Sequence, residues 1–258
     1  MLHSRITPVL LIDNGELYKT IKFKSPKYIG DPLNTVRIFN EKKVDELIII
    51  DITSTEQNRM PDWELISHIA RECRMPLCYG GGIDSVEKVE KLVALGVEKV
   101  AIGHTAYTNP DMIRQAISSV GRQSVVGVMD VKKTGLKREY KVFINRGRKN
   151  TNMNHIDYSN YLIDLGVGEV LLQNIDLDGV MKGFDNQLIK EVYNNIDVPL
   201  TVLGGAGKIK DLEDLISEFK IIGIAAGSLF IFKGRHKAVL VNYHNMNKKM
   251  QNINIQNL

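Results

Sequence analysis

The chain has 258 residues, of which 43% are hydrophobic and 25% are charged, and its formal net charge is +4. This composition is typical of a soluble globular protein and excludes the collagen-like and low-complexity classes. The sequence contains no basic stripe with interleaved aromatic residues, no apolar run of about 18 residues and no signal-peptide cleavage pattern. We therefore expect a cytoplasmic protein that binds neither nucleic acid nor membrane, with Cys73 and Cys78 as reduced core residues.

Short β-branched runs alternate with amphipathic segments along the chain, a pattern typical of βα units around a parallel sheet. The predicted strands, in chain order, span residues 6–12, 46–52, 77–79, 99–102, 124–129, 169–175, 200–203 and 221–225. Eight such units in about 250 residues predict one α/β domain, a (β/α)8 TIM barrel over residues 1–246. The polar segment 247–258 is predicted to be a C-terminal tail.

Two of the predicted helices begin with recognisable capping signals. Asp84, with Glu87 three residues later, resembles a capping box. Asn109 followed by Pro110 combines an N-cap residue with proline at the first helical position. These signals predict where the helices after the third and fourth strands begin.

The second half of the chain repeats the first. The segment DELIIIDIT, followed by Pro76 and the glycines at 80–82, recurs as GEVLLQNID, followed by Pro199 and GGAG at 204–207. The offset between the two prolines is 123, which is 199 minus 76, and the offset between Glu46 and Glu169 is the same. A constant offset predicts two half-barrels of four βα units each.

Glycine-rich turns follow the third and seventh predicted strands, each just before a helix. Glycine lets the backbone approach an oxyanion, and a helix N-terminus presents free N–H groups. Together with the small-residue ends of the next strands, these turns predict two opposed phosphate sites and hence a phosphorylated small-molecule ligand. Tight turns without a ligand are the alternative. The predicted phosphate-binding residues are Gly81, Gly82, Gly103, His104, Gly205, Gly227 and Ser228.

Acidic side chains also lie at the predicted C-terminal strand ends, where barrels of this kind carry their active sites. Asp130 ends an apolar strand, and because a buried unpaired carboxylate is unfavourable, we predict an acid–base role for it. The repeat aligns Asp130 with Leu11, which is not an acid. Asp13 shares the strand face of Leu11 and either replaces the missing acid or is an exposed turn residue. Asp51, Asp176 and Asp178 complete the acidic set.

Charged residues also stand at the opposite, N-terminal ends of the predicted strands. We call this set, Arg5, Glu46, Lys99 and Glu169, the charged ring. Two cations and two anions at the bottom of a barrel are expected to pair with each other, which in an arbitrary barrel stabilises the fold. The six histidines have no metal-ligand spacing, so we expect no metal and no cofactor.

With these motifs, the chain resembles the HisF family, the cyclase subunits of imidazole glycerol phosphate synthase, over residues 1–233. The resemblance is carried by RITPVLLIDNG, YKTIKFK, DELIIIDIT, YGGGI, EKVAIG, VVGVMD, NRGRK, GEVLLQNIDLDG, LGGAG and AAGSLF. It implies a lyase-type enzyme and a glutaminase partner at the N-terminal face that sends ammonia through the barrel. It also implies that the charged ring is the ammonia entrance, that Asp130 is catalytic and that Lys19 is a catalytic lysine of a mobile loop.

The chain departs from the family pattern at the ligand pocket. The family's second catalytic aspartate corresponds to Leu11, and its usual Asn-Thr at one phosphate site corresponds to Gly103 and His104. Its small hydroxyl residues in the sixth and seventh strands correspond to Gln173 and Leu203. The resemblance therefore implies an intact ammonia entrance below a substrate pocket that has changed.

This combination favours a HisF-like branch that serves surface-glycan biosynthesis. In that branch, ammonia is used with a third amidotransferase protein to convert an N-acetyl group of a sugar to an acetamidino group. One alternative is an authentic cyclase of histidine biosynthesis, with Asp13 replacing the lost acid. The other is an inert barrel that only activates the glutaminase.

Overall fold

The computed structural model describes residues 4–219 and 221–243. In chain order its strands are β1 (Arg5–Asp13), β2 (Glu16–Ile21), β3 (Lys24–Gly30), β4 (Leu47–Asp51), β5 (Leu77–Gly80), β6 (Lys99–Ile102), β7 (Val125–Thr134), β8 (Glu139–Ile144), β9 (Lys149–Asn154), β10 (Glu169–Asn174), β11 (Leu200–Leu203), β12 (Gly223–Ala226), β13 (Phe232–Lys233) and β14 (Ala238–Val239). Its helices are α1 (Pro32–Lys42), α2 (Trp63–Glu72), α3 (Val86–Ala94), α4 (His104–Thr108), α5 (Pro110–Val120), α6 (His155–Leu165), α7 (Asn186–Tyr193), α8 (Ile209–Phe219) and α9 (Ser228–Ile231), with 3-10 turns at Arg122–Ser124 and Ile175–Leu177.

Eight parallel strands close the predicted (β/α)8 barrel. Their order is β1, β4, β5, β6, β7, β10, β11 and β12, and β12 pairs with β1 again. Each neighbouring pair in this circle is parallel. The prediction of the fold is confirmed, and each predicted strand overlaps one strand of the circle.

Two antiparallel hairpins extend the barrel at its C-terminal end and were not predicted. The first hairpin consists of β2 and β3, which continue from β1, and the second consists of β8 and β9, which continue from β7. The strand predicted over 124–129 therefore begins at Val125 and runs on to Thr134, beyond the wall of the barrel. The strand predicted over 221–225 begins only at Gly223.

The half-barrel repeat is visible in the strand register. Val9 of β1 lies opposite Ile48 of β4, and at the equivalent place Val128 of β7 lies opposite Leu171 of β10. Each half also has a hairpin after its first strand and a short helix, α4 or α9, after its last. The two halves therefore place equivalent residues on opposite sides of the barrel axis.

The helix starts agree in part with the capping signals. Asn109 is the N-cap of α5, and its side chain accepts a hydrogen bond from Met112 N at 3.4 Å. The capping box at Asp84 is wrong by one residue, because α3 begins at Val86 and Ser85 is its N-cap. Asp84 instead pairs with Lys88 at 2.7 Å, which neutralises its carboxylate outside the helix.

The core has two layers. The larger layer lies between the strands and the surrounding helices. The second fills the barrel interior, and we call it the lumen core: Val9, Ile48, Cys78, Ala101, Val126, Leu171, Leu203 and Ala225. Both cysteines are free, and Cys78 is buried in the lumen core, while Cys73 is half-buried at the end of α2. The predicted tail over 247–258 lies outside the described residues.

Within residues 4–219 and 221–243, no helix combines the length and the hydropathy that crossing a bilayer requires.

Candidate active site

The charged ring is closed by ion pairs at the N-terminal end of the barrel. Arg5 Nε lies 3.5 Å from Glu46 Oε2, and Arg5 Nη2 lies 3.1 Å from Glu169 Oε1. Lys99 Nζ lies 2.8 Å from Glu46 Oε1 and 2.8 Å from Glu169 Oε2. The Thr201 hydroxyl donates a further hydrogen bond to Glu169 Oε1 at 2.6 Å. Each cation therefore contacts both carboxylates, as expected from the sequence.

Burial and pairing compete in the charged ring. Burial opposes the charge of Lys99, yet the carboxylates of Glu169 and Glu46 hold the pKa of this lysine above its ordinary value. Burial also pushes the pKa of Glu169 upward, but Arg5 and Lys99 bring it below its ordinary value. At Glu46 burial outweighs the same two cations and raises the pKa. The Arg5 side chain keeps 33% of its surface exposed, so the ring is accessible from the N-terminal face.

An apolar interior lies directly above the charged ring. Along β1, inward-facing positions alternate with outward-facing ones, so Arg5 in the ring is followed inward by the buried Thr7, then by Val9 in the lumen core and by Leu11 at the mouth. The same order runs along β10, from Glu169 through Leu171 to Gln173. The barrel axis therefore passes from charged groups at one end, through aliphatic side chains, to the mouth at the other end.

The C-terminal mouth contains two neighbouring pockets. The large pocket has a volume of about 980 Å³, including space open to solvent, and the small pocket about 420 Å³. Leu11, Gln173 and Leu203 line both and separate one from the other. Among the predicted site residues, the large pocket contains Asp51, Gly81, Gly103, His104 and Asp130. The small pocket contains Lys19, Asp178, Gly205, Gly227 and Ser228.

Asp130 lies at the end of the barrel part of β7 and faces the large pocket. Its Oδ1 is buried and has no hydrogen-bond partner among the described residues. Burial, together with the carboxylate of Asp178, raises the pKa of Asp130 to about 7. A carboxyl group with this pKa can both accept and release a proton near neutrality, which is what acid–base chemistry requires.

His104, which is half-buried, contributes a second buried polar atom without a partner to the large pocket. Its Nδ1 has no hydrogen-bond partner among residues 4–219 and 221–243. Burial and the charge of Lys149 lower the pKa of the imidazole below its ordinary value. Since β6 pairs with β7, His104 and Asp130 stand on neighbouring strand ends at one side of the mouth.

Lys19 and Asp178 provide the charges of the small pocket. Lys19 lies in β2 of the first hairpin, and its buried ammonium donates a hydrogen bond to Val9 O. Burial lowers the pKa of this ammonium to about 8, although Asp178 opposes the shift. Asp178 accepts hydrogen bonds from Thr20 Oγ1 at 2.7 Å and from Phe23 N at 3.0 Å, while burial raises its pKa.

The glycines of the mouth keep the backbone close to neighbouring chain segments. Gly81 has a φ of +108, and a Cβ there would lie 2.2 Å from Asp51 O. Its counterpart in the second half is Gly204, with a φ of +105 and 2.6 Å to Asn174 O, and the next residue, Gly205, has a φ of +120 and only 2.1 Å to Gly183 O. At Gly227 a Cβ would meet the Lys19 ammonium at 2.6 Å. Any larger residue at these positions would displace the backbone or fill the small pocket.

Three other predicted residues lie beside the pockets rather than in them. Asp13 is half-exposed and accepts a hydrogen bond from Thr53 Oγ1 at 2.9 Å. Asp176 accepts from Lys133 N at 2.9 Å and lines a separate cleft next to α7. Gly82 N donates to Thr55 Oγ1 at 3.0 Å, which leaves this amide engaged within the protein.

Several residues of the mouth were not predicted from the sequence. Most of them belong to the two hairpins, which were not predicted either, and one forms an ion pair with the predicted Asp51. Thr20 and Phe23 of the first hairpin line the large pocket, as do Asn145 and Arg146 in the turn of the second. That turn was readable as the Asn-Arg-Gly segment of NRGRK, since asparagine and glycine mark hairpin turns. Arg59, whose Nη2 lies 3.2 Å from Asp51 Oδ2, left no such signal.

A family model described as "Histidine biosynthesis protein" matches residues 5–237. The chain belongs to this family. Within it, the chain is 49% identical over 249 residues to a protein of Leptospira interrogans provisionally named imidazole glycerol phosphate synthase subunit HisF, with 96% of this chain and 98% of the relative covered. It is 48% identical to a Vibrio vulnificus protein with the corresponding provisional name hisF3, with 96% of each chain covered.

The imidazole glycerol phosphate synthase subunit HisF of Lactococcus lactis is 37% identical over 230 residues, which are 89% of each chain. The HisF resemblance inferred from the motifs is therefore confirmed over most of the chain. This HisF-like chain is more similar to the provisionally named relatives than to the Lactococcus subunit. Among the described residues, no cluster of histidine, cysteine and acidic side chains could hold a metal ion.

Proposed function

We propose that this HisF-like chain is the synthase subunit of a glutamine-dependent amidotransferase. A glutaminase partner binds its N-terminal face, and ammonia enters at the charged ring and travels through the lumen core to the mouth. The observation that carries this proposal is the closed ring, because a buried lysine, a half-buried arginine and two buried carboxylates lie around the axis at the entrance to an apolar interior. Neutral ammonia crosses such an interior more easily than ammonium does.

The same proposal assigns the mouth to a phosphorylated small molecule. The Lys19 ammonium and the close backbone at Gly205 and Gly227 suit a phosphate group in the small pocket. Asp130 is the acid–base residue of the large pocket, supported by its unpartnered Oδ1. Asp51, which Arg59 neutralises, shapes the wall between β4 and β5.

We further propose that the ammonia serves the amidination of an N-acetyl sugar in surface-glycan biosynthesis, with a third amidotransferase protein at the mouth. Leu11 supports this branch. It lies in the pocket wall at the place that the repeat makes equivalent to Asp130, so only one of these two equivalent positions on opposite sides of the mouth carries an acid. Asp13 does not compensate, because its carboxylate is engaged by Thr53 beside the pockets.

Lys99→Met tests the ammonia entrance in the purified complex with the glutaminase. We expect activity with glutamine to fall at least about tenfold relative to activity with free ammonium, because the gating ion pairs to Glu46 and Glu169 are lost. Activity with free ammonium controls for folding within the same sample. Lys190→Met, at an exposed lysine of α7, is the matched control variant. An unchanged ratio in Lys99→Met would exclude the charged ring as the entrance.

An authentic cyclase of histidine biosynthesis is the second candidate, and it is favoured by the pKa of about 7 at Asp130. Complementation of a histidine auxotroph lacking its cyclase subunit separates the two functions. Our proposal expects no growth without histidine, and growth restored by Leu11→Asp would assign the difference to that one acid. An inert barrel would stimulate glutamine hydrolysis without forming any product from ammonia, whichever sugar or nucleotide substrate is supplied.

A further inference from the structure

The two mouth pockets are related by the half-barrel repeat but differ in charge. Leu11 pairs with Tyr18 of β2, and Asp130, its equivalent, pairs with Phe143 of β8. The residue after Tyr18 is Lys19, which lines the small pocket, and the residue after Phe143 is Ile144, which lines the large pocket. The second half of the chain therefore puts an aliphatic side chain where the first half puts an ammonium.

The other charged groups of the large pocket offer no free positive charge to an anion. Among the described residues that line the large pocket, Arg146 carries a positive charge. Its Nη1 lies 3.1 Å from Glu56 Oε2, so this charge is already paired. Asp51 is neutralised by Arg59. Asp130 faces the same space, so a phosphate there would meet a carboxyl group, while Lys149, whose charge reaches His104, does not line the pocket.

Two buried polar atoms of the large pocket are instead available for hydrogen bonds with an uncharged ligand group. Asp130 Oδ1 and His104 Nδ1 have no hydrogen-bond partner among the described residues, although buried polar atoms are nearly always satisfied. The walls around them are apolar and include Leu11, Ile50 and Val128. Such a pocket suits a group that combines an apolar portion with neutral hydrogen-bonding atoms.

The geometry points to an asymmetric ligand across the mouth: one phosphate group held in the small pocket beside Lys19, and an uncharged amide-bearing group held in the large pocket between His104 and Asp130. An amide supplies an N–H donor for the carboxyl group of Asp130 and a carbonyl or N–H for the imidazole of His104. This inference deepens the proposed function, since it names the ligand class of that site, and it replaces two equivalent phosphate sites with one.

The first test counts phosphate sites on the full-length chain by isothermal titration calorimetry with inorganic phosphate. We expect one site per chain, lost in Ser228→Asp, which places a carboxylate in the small pocket. Ile144→Lys introduces into the large pocket an ammonium at the position equivalent to Lys19 of the small pocket, and we expect it to raise the count to two. Two sites in the unmodified chain, one of them lost in Arg146→Ala or His104→Ala, would overturn the inference, and so would none.

The second test compares two probes on the same chain and does not depend on the folding of Ile144→Lys. N-acetylglucosamine 1-phosphate has one phosphate and one amide, whereas fructose 1,6-bisphosphate has two phosphates. We expect the first to bind at least about tenfold more tightly, because its amide makes two hydrogen bonds, and we expect His104→Ala, which removes one of them, to reduce the difference to about fivefold or less. Tighter binding of the bisphosphate would overturn the inference. Neither test uses ammonia or glutaminase, so failure here is distinct from failure of the Lys99→Met test.

Discussion

The two ends of the barrel treat buried charge in opposite ways. At the N-terminal end, each member of the charged ring contacts two partners of opposite sign. At the C-terminal end, Asp130 Oδ1 has no partner among the described residues, and its pKa rises to about 7, whereas the pKa of Glu169 in the ring falls. A carboxyl group is therefore held charged at Glu169 of the ring, whereas at Asp130 of the mouth it can exchange a proton near neutrality.

The ionised groups of the charged ring therefore pair with each other, whereas the unpartnered polar atoms at the mouth remain free to bind a ligand. The ring is complete within one chain, so its removal is expected to affect the fold as well as any passage through it. The unsatisfied atoms at the mouth contribute little to the fold, and replacing them is expected to affect binding or chemistry. The following predictions test that difference, beginning with the largest effect.

Lys99→Ala is expected to lower the free energy of unfolding by about 3–5 kcal/mol, because it leaves two buried carboxylates with one cation between them. Urea denaturation at pH 7 measures the change. Lys190→Ala removes an exposed lysine of α7 and is expected to stay within about 0.5 kcal/mol of the unmodified chain. A loss below about 1 kcal/mol in Lys99→Ala would mean that the ring contributes little to the fold.

In contrast to Lys99→Ala, Asp130→Asn is expected to raise the free energy of unfolding, by an amount that depends on pH. Between the ordinary value of 3.8 and the folded value of about 7, the native state binds more protons than the unfolded state, so stability falls as pH rises through this window. The asparagine variant lacks this titration. We expect it to exceed the unmodified chain in stability by about 1–3 kcal/mol at pH 8, and by less at pH 5.

Urea denaturation at both pH values measures the effect of Asp130→Asn, and Asp164→Asn, at an exposed position of α6, is the matched control. Equal differences at pH 5 and pH 8 would show that Asp130 does not titrate in this range. A loss of stability that grows with pH would indicate a charged partner for this carboxylate. The buried carboxylate at the mouth would then be paired, as the carboxylates of the ring are.

Glu56→Gln is expected to have the smallest effect, because this residue links two surface segments. Glu56 pairs with Arg146 and Arg148 in the turn of the second hairpin, next to the large pocket. We expect faster amide hydrogen exchange over residues 145–148, with an unchanged urea midpoint. Glu41→Gln, on the exposed face of α1, is the control. Unchanged exchange in Glu56→Gln would show that these ion pairs do not restrain the turn.

The barrel and the charged ring were predictable because the sequence patterns that indicate them occur twice, once in each half of the chain. Each barrel strand is a short apolar run, and the ring residues stand at the starts of such runs. The hairpins escaped prediction because β3 and β9 are polar and largely exposed, so they lack the alternation that marks a half-buried strand.

The unequal charge of the two pockets could not be read from the sequence for the same reason. It depends on the register that places Lys19 and Ile144 at equivalent positions, and that register follows from hairpins the sequence did not reveal. The missing partners of Asp130 Oδ1 and His104 Nδ1 are likewise properties of packing. The N-cap of α3 is Ser85 rather than the predicted Asp84, so even a recognised capping signal located the start of this helix only to within one residue.

The paired hairpins also bear on how such a barrel changes its ligand. Duplicated genes commonly diverge because one copy keeps the original task while the other is free to drift. Here both copies lie in one polypeptide, and the first hairpin contributes to both pockets, whereas the second lines the large pocket and not the small one. Randomising residues 139–154 alone should therefore alter what the large pocket accepts, while the small pocket continues to bind the phosphate end of the ligand. The second hairpin is thus the better target for engineering a new specificity.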